Sequence, residues 1–167
     1  GQITLGTYPL EGEWHLKRFA GDNMTLSGGI VSSNNQNLAI EGKNYTIDTN
    51  AINLNSGTML FWGADNDKAN ATQLNVAGNN WELAQIARGG YLLAGAENVM
   101  DSGAGLKFGQ YSGYDTSGVN GSGTFDLNGY DQTVAYLQSS HAGDDHTLTD
   151  TSGHDASLTV DYSGTDI

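Results

Sequence analysis

Short apolar–polar–apolar triplets run along most of the chain. Ile3-Thr4-Leu5, Met24-Thr25-Leu26, Tyr45-Thr46-Ile47, Ile52-Asn53-Leu54, Leu74-Asn75-Val76 and Trp81-Glu82-Leu83 all carry this form. Alternation of period 2 marks a strand with one covered face, and the triplets recur about every seven to ten residues. Leu38-Ala39-Ile40 and Tyr91-Leu92-Leu93 read as further strands, and Met59-Leu60-Phe61-Trp62 is the best candidate for a strand buried on both faces. In Glu13 to Ala20, Trp14, Leu16 and Arg18 alternate with His15, Lys17 and Phe19, which fits a strand better than a helical turn. Ala84 to Arg88 either extends a strand or forms a helical turn, and Gly63 to Thr72 is a loop by composition.

The stretch Gly123 to Leu137, GTFDLNGYDQTVAYL, joins two strand signals at a turn. Phe125 and Leu127 point one way and Thr124, Asp126 and Asn128 the other, so a half-buried strand is expected. Asn128-Gly129 supplies residues that tolerate positive φ. Thr133 to Leu137 reads as the second strand, with Val134, Tyr136 and Leu137 available for burial. Such a unit is either a hairpin or a corner between successive strands of a solenoid. The whole chain favours the corner. Its strands are very short, its bends small and polar, and its triplets fall about three to every 20–25 residues, a plausible coil. The predicted architecture is all-β, a right-handed parallel β-helix with three sides; an antiparallel β-sandwich is the alternative. Roughly seven coils at ~4.8 Å spacing would make a rod of about 35 Å.

Composition agrees with many turns between short strands: 24 Gly, one Pro and no Cys in 167 residues. The hydrophobic share of 37% suits a core only one or two side chains wide. Without cysteine there is no disulfide framework and no thiol chemistry. The formal charge is −13, and from Tyr111 onward the chain has nine Asp and no Lys or Arg. Lacking a basic patch to release counterions, it is a poor partner for nucleic acid or anionic membrane. No stretch reaches the ~18 apolar residues of a membrane span. The abrupt, strand-like start at Gly1-Gln2-Ile3-Thr4 suggests a processed or excised piece.

The run Asp126 to Thr133 (DLNGYDQT), followed by Leu148 to Val160 (LTDTSGHDASLTV), resembles the repeat in passenger domains of bacterial autotransporters of the type V secretion class. Ala96 to Phe108 is a weaker match to the coil that often precedes it. The similarity covers about a third of the chain, so residues 96–160 hold the best-matching coils, and residues 1–22 are read as an irregular or capping region. The whole of 1–167 is read as one β-helical segment. The resemblance implies display at the bacterial cell surface, or release, after export through a C-terminal outer-membrane β-barrel. The alternating membrane strands of such a barrel are absent from this segment.

Candidate chemistry is sparse. Asp101-Ser102-Gly103 resembles the surroundings of a nucleophilic serine, but Met100 stands where a glycine is expected and His15 is the only earlier histidine, so a turn is the plainer reading. Asp144-Asp145-His146 and His154-Asp155 are the closest approaches to a paired-carboxylate hydrolase; adjacent Asp residues in a strand face opposite ways. The same Asp144 and Asp145 are the weak candidates for a metal, and no metal or other cofactor is expected. Asp65-Asn66-Asp67 begins like a calcium loop, but Ala69 and Val76 replace ligands and Asn70 stands where glycine is needed. Of the aromatics Trp62, Trp81, Tyr111, Tyr114 and Tyr130, Tyr111 and Tyr114 lie in a Gly/Ser-rich bend and are the candidates for glycan contact. The function expected is therefore non-enzymatic: a displayed stalk or adhesin segment, self-associating or bound to a host protein or glycan. The stem of a secreted serine protease and a glycan-cleaving β-helix are the alternatives.

Overall fold

The computed structural model describes residues 1–6, 13–17, 23–32, 34–41, 43–109, 121–139 and 145–162. Strands one coil apart in sequence are neighbours in space, and every described pair is parallel. Side one begins with β1 (Ile3–Leu5), β4 (Ile30–Ser32) and β7 (Ile52–Asn53), and ends with β14 (Gln132–Val134) and β17 (Leu158–Val160). Side two stacks β2 (Glu13–Lys17), β5 (Asn37–Glu41), β8 (Thr58–Trp62), β10 (Leu83–Ile86), β12 (Gly105–Phe108) and β15 (Tyr136–Ser139). Side three stacks β3 (Met24–Leu26), β6 (Tyr45–Ile47), β9 (Thr72–Leu74), β11 (Gly90–Ala94), β13 (Gly123–Asp126) and β16 (Thr147–Thr149). This is a three-sided parallel β-solenoid, not a sandwich. The only helical element among the described residues is a 3-10 turn at Lys68–Asn70, inside the loop between β8 and β9. Six stacked strands span about 24 Å, shorter than the rod anticipated from the sequence. The reason is longer coils: Gly90 pairs with Gly123 and Gly105 with Tyr136.

In the middle of side one the backbone ladder shrinks to the single parallel bridge Asn53–Asn80 and a few isolated bonds, and two buried amides supplement it. Asn79 Oδ1 accepts from Ile52 N at 2.8 Å, and its Nδ2 donates to Val99 O at 2.8 Å. One coil further, Gln132 Oε1 accepts from Val99 N at 2.9 Å and Met100 N at 3.3 Å, while Nε2 donates to Ala96 O at 2.9 Å. Each side chain fills the place of a strand's peptide group, which satisfies backbone that would otherwise be buried without a partner.

The Asn128-Gly129 bend is a corner. Both residues have positive φ, 49° and 85°, and the strands it joins, β13 and β14, lie in different sheets. Two expectations fail here. The second strand does not run unbroken from Thr133 to Leu137: it turns at Ala135, whose N–H donates to Ala104 O, and continues as β15 on the next side. Nor is β13 half-buried: Thr124 and Asp126 are as enclosed as Phe125 and Leu127.

The interior is a single column of side chains, running from Leu5 and Ile30 through Ile47, Met59, Ile86 and Leu106 to Phe125 and Val134. Outside side two, Ala39, Leu60, Trp62 and Ala87 form a second apolar layer. This explains why Met59 to Trp62 is apolar throughout. At the corner entering side three, Gly90 and Gly123 press against the coil below. A Cβ at these positions would sit 2.0 Å from Phe61 O and 2.3 Å from Ile86 O, so no side chain fits.

Candidate functional site

The densest polar cluster centres on Asp126, the last residue of β13, which is fully buried. Four segments meet there. Tyr91 reaches up from β11, one coil below, and its hydroxyl donates to Oδ2 at 2.9 Å. Thr151, just beyond β16 in the coil above, donates its hydroxyl to Oδ2 at 2.6 Å and its N–H to Oδ1 at 3.0 Å. Asn128 N closes the local turn onto Oδ1 at 3.0 Å. Lys68 Nζ, from the β8–β9 loop, lies 3.2 Å from Oδ2, 3.3 Å from Asn128 Oδ1, and in contact with Thr151 Oγ1.

Burial pushes the Asp126 carboxyl up, but the hydrogen bonds from Thr151, Tyr91 and Lys68 outweigh it and hold the group below the usual carboxylate range. The Tyr91 hydroxyl is driven far above its ordinary value, by burial first and by the Asp126 carboxylate second. With both carboxylate oxygens occupied, Asp126 stays ionised and Tyr91 stays protonated at neutral pH. Neither is poised near pH 7, where a general acid or base works best. The cluster is suited to tying coils together.

The rest of the DLNGYDQT run behaves the same way. Asn128 Nδ2 donates to Ala94 O at 3.0 Å in the coil below. Gly129 N donates to Asp150 Oδ1 at 3.1 Å in the coil above. Asp131 Oδ1 accepts from both the N–H and hydroxyl of Ser157, at 2.7 and 2.8 Å. The Asp150 carboxyl is held low, chiefly by the Ser152 N–H and hydroxyl. Sequence reading missed this network, although its signal was present: four polar residues clustered around one Asn-Gly corner, in a run matched by a second polar run about one coil later.

The residues singled out for chemistry do not converge. Tyr111, Tyr114 and Asp144 lie outside the described residues; Asp145 is exposed. Ser102 sits in an exposed turn where Asp101 accepts from Gly103 N at 2.9 Å. His15 is on β2, four strands away from the adjacent β12, or about 19 Å along the stack. His15 contacts Glu41 at 3.3 Å instead. In the calcium-like run, Asp65 pairs with Lys43, Asn66 donates to Ser122 Oγ and Asp67 caps the 3-10 turn, so the three side chains diverge. His154 and Asp155 are exposed, and His146 stacks on Phe108 at 5.9 Å. Trp81 is in the core, edge-on to Phe61, and Tyr130 packs against that core. Trp62 lies in the outer layer, with the Arg88 guanidinium 4.2 Å from its ring centre.

Among the described residues no group of three His, Cys, Asp or Glu could hold a metal ion. A cavity of about 340 Å³ lies at the N-terminal end, lined by Ile3, Thr25, Leu26 and Ser27 among others, with no acidic or histidine side chain in its wall. No helix among the described residues is long and apolar enough to cross a membrane. No family model, curated protein or solved structure matches the chain.

Proposed function

We propose that this chain is a non-enzymatic spacer: a β-helical stalk segment of an autotransporter passenger that gives reach and presents a surface outside the cell. One observation carries the reading. The polar residues of the motif that suggested the family make coil-to-coil contacts, from Asp126 through Gln132, and none converges on a cleft. A sequence run that specific, used wholly for stacking, supports a role in building length. The strongly acidic composition supports a soluble, exposed surface.

The test is display. Fused ahead of an outer-membrane β-barrel in a Gram-negative host, the chain is expected to be reached by antibody and protease added to whole cells, and to bind cells or matrix without cleaving polysaccharide. Retention inside the envelope would overturn the export reading. Release of reducing sugar, lost in Asp144→Asn and Asp145→Asn, would replace it with a glycan-cleaving β-helix.

A further inference from the structure

A lysine amine, a carboxamide and a buried carboxylate meet at one point on side three. Lys68 Nζ lies 3.3 Å from Asn128 Oδ1 and 3.2 Å from Asp126 Oδ2. The side-chain carbonyl carbon of Asn128, Cγ, is one C=O length of ~1.2 Å from Oδ1, so the amine is within ~4.5 Å of it. Rotation about the Lys68 side-chain bonds covers the remaining distance to the ~3–3.5 Å of a near-attack pair. Both partners are anchored. Asn128 Nδ2 donates to Ala94 O at 3.0 Å, and Asn128 N donates to Asp126 Oδ1 at 3.0 Å. Lys68 is also held at Thr151 Oγ1. Asp126 has no exposure, and the Tyr91 and Thr151 hydroxyls fix its Oδ2. Groups placed this way react as parts of one molecule, which removes the entropy cost of a chance meeting.

We propose that Lys68 and Asn128 join in an isopeptide bond that forms spontaneously in the folded chain. A lysine amine attacks carbonyl carbon once it has lost its proton. Asp126 is ionised, the form that takes that proton. Nζ then attacks Cγ, the Nζ–Cγ bond forms, and Asp126 passes its proton to Nδ2. The Cγ–Nδ2 bond breaks and ammonia departs, carrying off the second proton that Nζ gives up through Asp126. A lysine ammonium and a carboxamide have become a secondary amide and an ammonium ion. Asp126 is restored, and no oxidant or other reagent is consumed.

The acceptor is Asn128 rather than Asp126, because the charge of an ionised carboxylate repels a nucleophile and the neutral carboxamide does not. A carboxylate whose proton affinity lies far from neutrality is a poor catalyst for repeated turnover. This step occurs once per molecule, and loss of ammonia to solvent makes it one-way. The contact between Lys68 and Asn128 is the state before reaction. Closing it encloses β9 to β13 in a covalent ring and gives up one hydrogen bond, from Nδ2 to Ala94 O. The contact of Lys43 with Asp65 differs: both side chains are exposed, and the pair holds no carboxamide.

The bond forms whether or not the chain is exported, so it stands apart from the stalk reading. Intact mass of the purified chain, followed in neutral buffer over a week, is expected to fall by one ammonia, about 17 Da, in a growing share of molecules. Trypsin, which cuts after Lys and Arg, is then expected to leave residues 44–88 joined to residues 108–167, with Lys68 uncut and Lys43 cut as the internal control. Lys68→Arg keeps the charge but not the nucleophile, and Asn128→Gly suits the positive φ but lacks the carboxamide. Both variants are expected to retain full mass. Full mass throughout in the parent chain would overturn the proposal. So would the same loss in Lys68→Arg, which would assign it to an imide at Asn128-Gly129. Loss of one water, with Lys68 joined to Asp126, would overturn the choice of acceptor.

Discussion

Strands β13 and β16 are neighbours on the same side, with Phe125 directly below Leu148, and their circumstances differ sharply. In β13 all four residues are buried, outward-facing Asp126 included. In β16 Thr147 and Leu148 are exposed and Thr149 is half-buried. Both strands follow the same polar–apolar–polar pattern. In a solenoid, burial is set by whether a coil lies above, so one identity of side chain is core in one layer and surface in the next. The same holds for polar groups. Asp126 has neighbours above and below and fills every acceptor site, while exposed Asp145 precedes β16 at the open end.

Side-by-side truncation is the sharpest way to break this comparison. Phe125→Ala is expected to cost about 3–5 kcal/mol, whereas Leu148→Ala, one layer up, should cost about 1 kcal/mol or less, as read by urea unfolding. Equal losses would mean that the end is covered in solution.

Asp126→Asn comes next. It removes the ionic partner of Lys68 and turns two acceptor positions into a donor facing Thr151 and Tyr91, at an expected cost of about 2–4 kcal/mol at neutral pH. The group's proton affinity is lowered in the folded chain. Its contribution is therefore fully present above the unfolded carboxylate pKa of about 3.9 and is lost as pH falls through the lower folded value. Unfolding between pH 7 and pH 2 is expected to show a shallower acid slope in Asp126→Asn than in the parent chain. An unchanged slope would remove the Asp126 cluster from the account. Against this, Asp145→Asn at the open end is expected to leave stability within about 0.5 kcal/mol.

A smaller effect tests the amide that supplements the side-one ladder. Gln132→Leu keeps an apolar filling but leaves Val99 N and Met100 N without an acceptor, at an expected cost of about 1–3 kcal/mol. Hydrogen exchange at those two amides should speed up together, while that at Ala135, held by Ala104 O, stays slow.

The period-2 triplets made the strands legible, and their short recurrence made the stack legible. β2, β5, β6, β8 and β11 fall where alternation or apolar runs put them. Less legible were buried polar positions. Asp126, Asn79 and Gln132 look like loop chemistry when read along the chain, because their partners lie one coil away in sequence. The corner at Ala135 was hidden for a related reason: VAYL reads as one alternating strand, and only the Ala104 carbonyl in the coil below makes it turn. Likewise, nothing in Leu137, Leu148 or Val160 distinguishes them from inward residues of a covered layer.

Lys68 reaches further than any backbone ladder in the molecule. It leaves a loop ahead of β9, passes the level of β11, and grips Asp126, Asn128 and Thr151 in the two layers beyond. Backbone ladders hold only neighbouring coils, and among the side-chain bonds the Asn66–Ser122 pair also skips a coil, so turns without such ties would fray one at a time. This tether links four successive turns and rivets them into one block, while the N-terminal turns can still peel away singly.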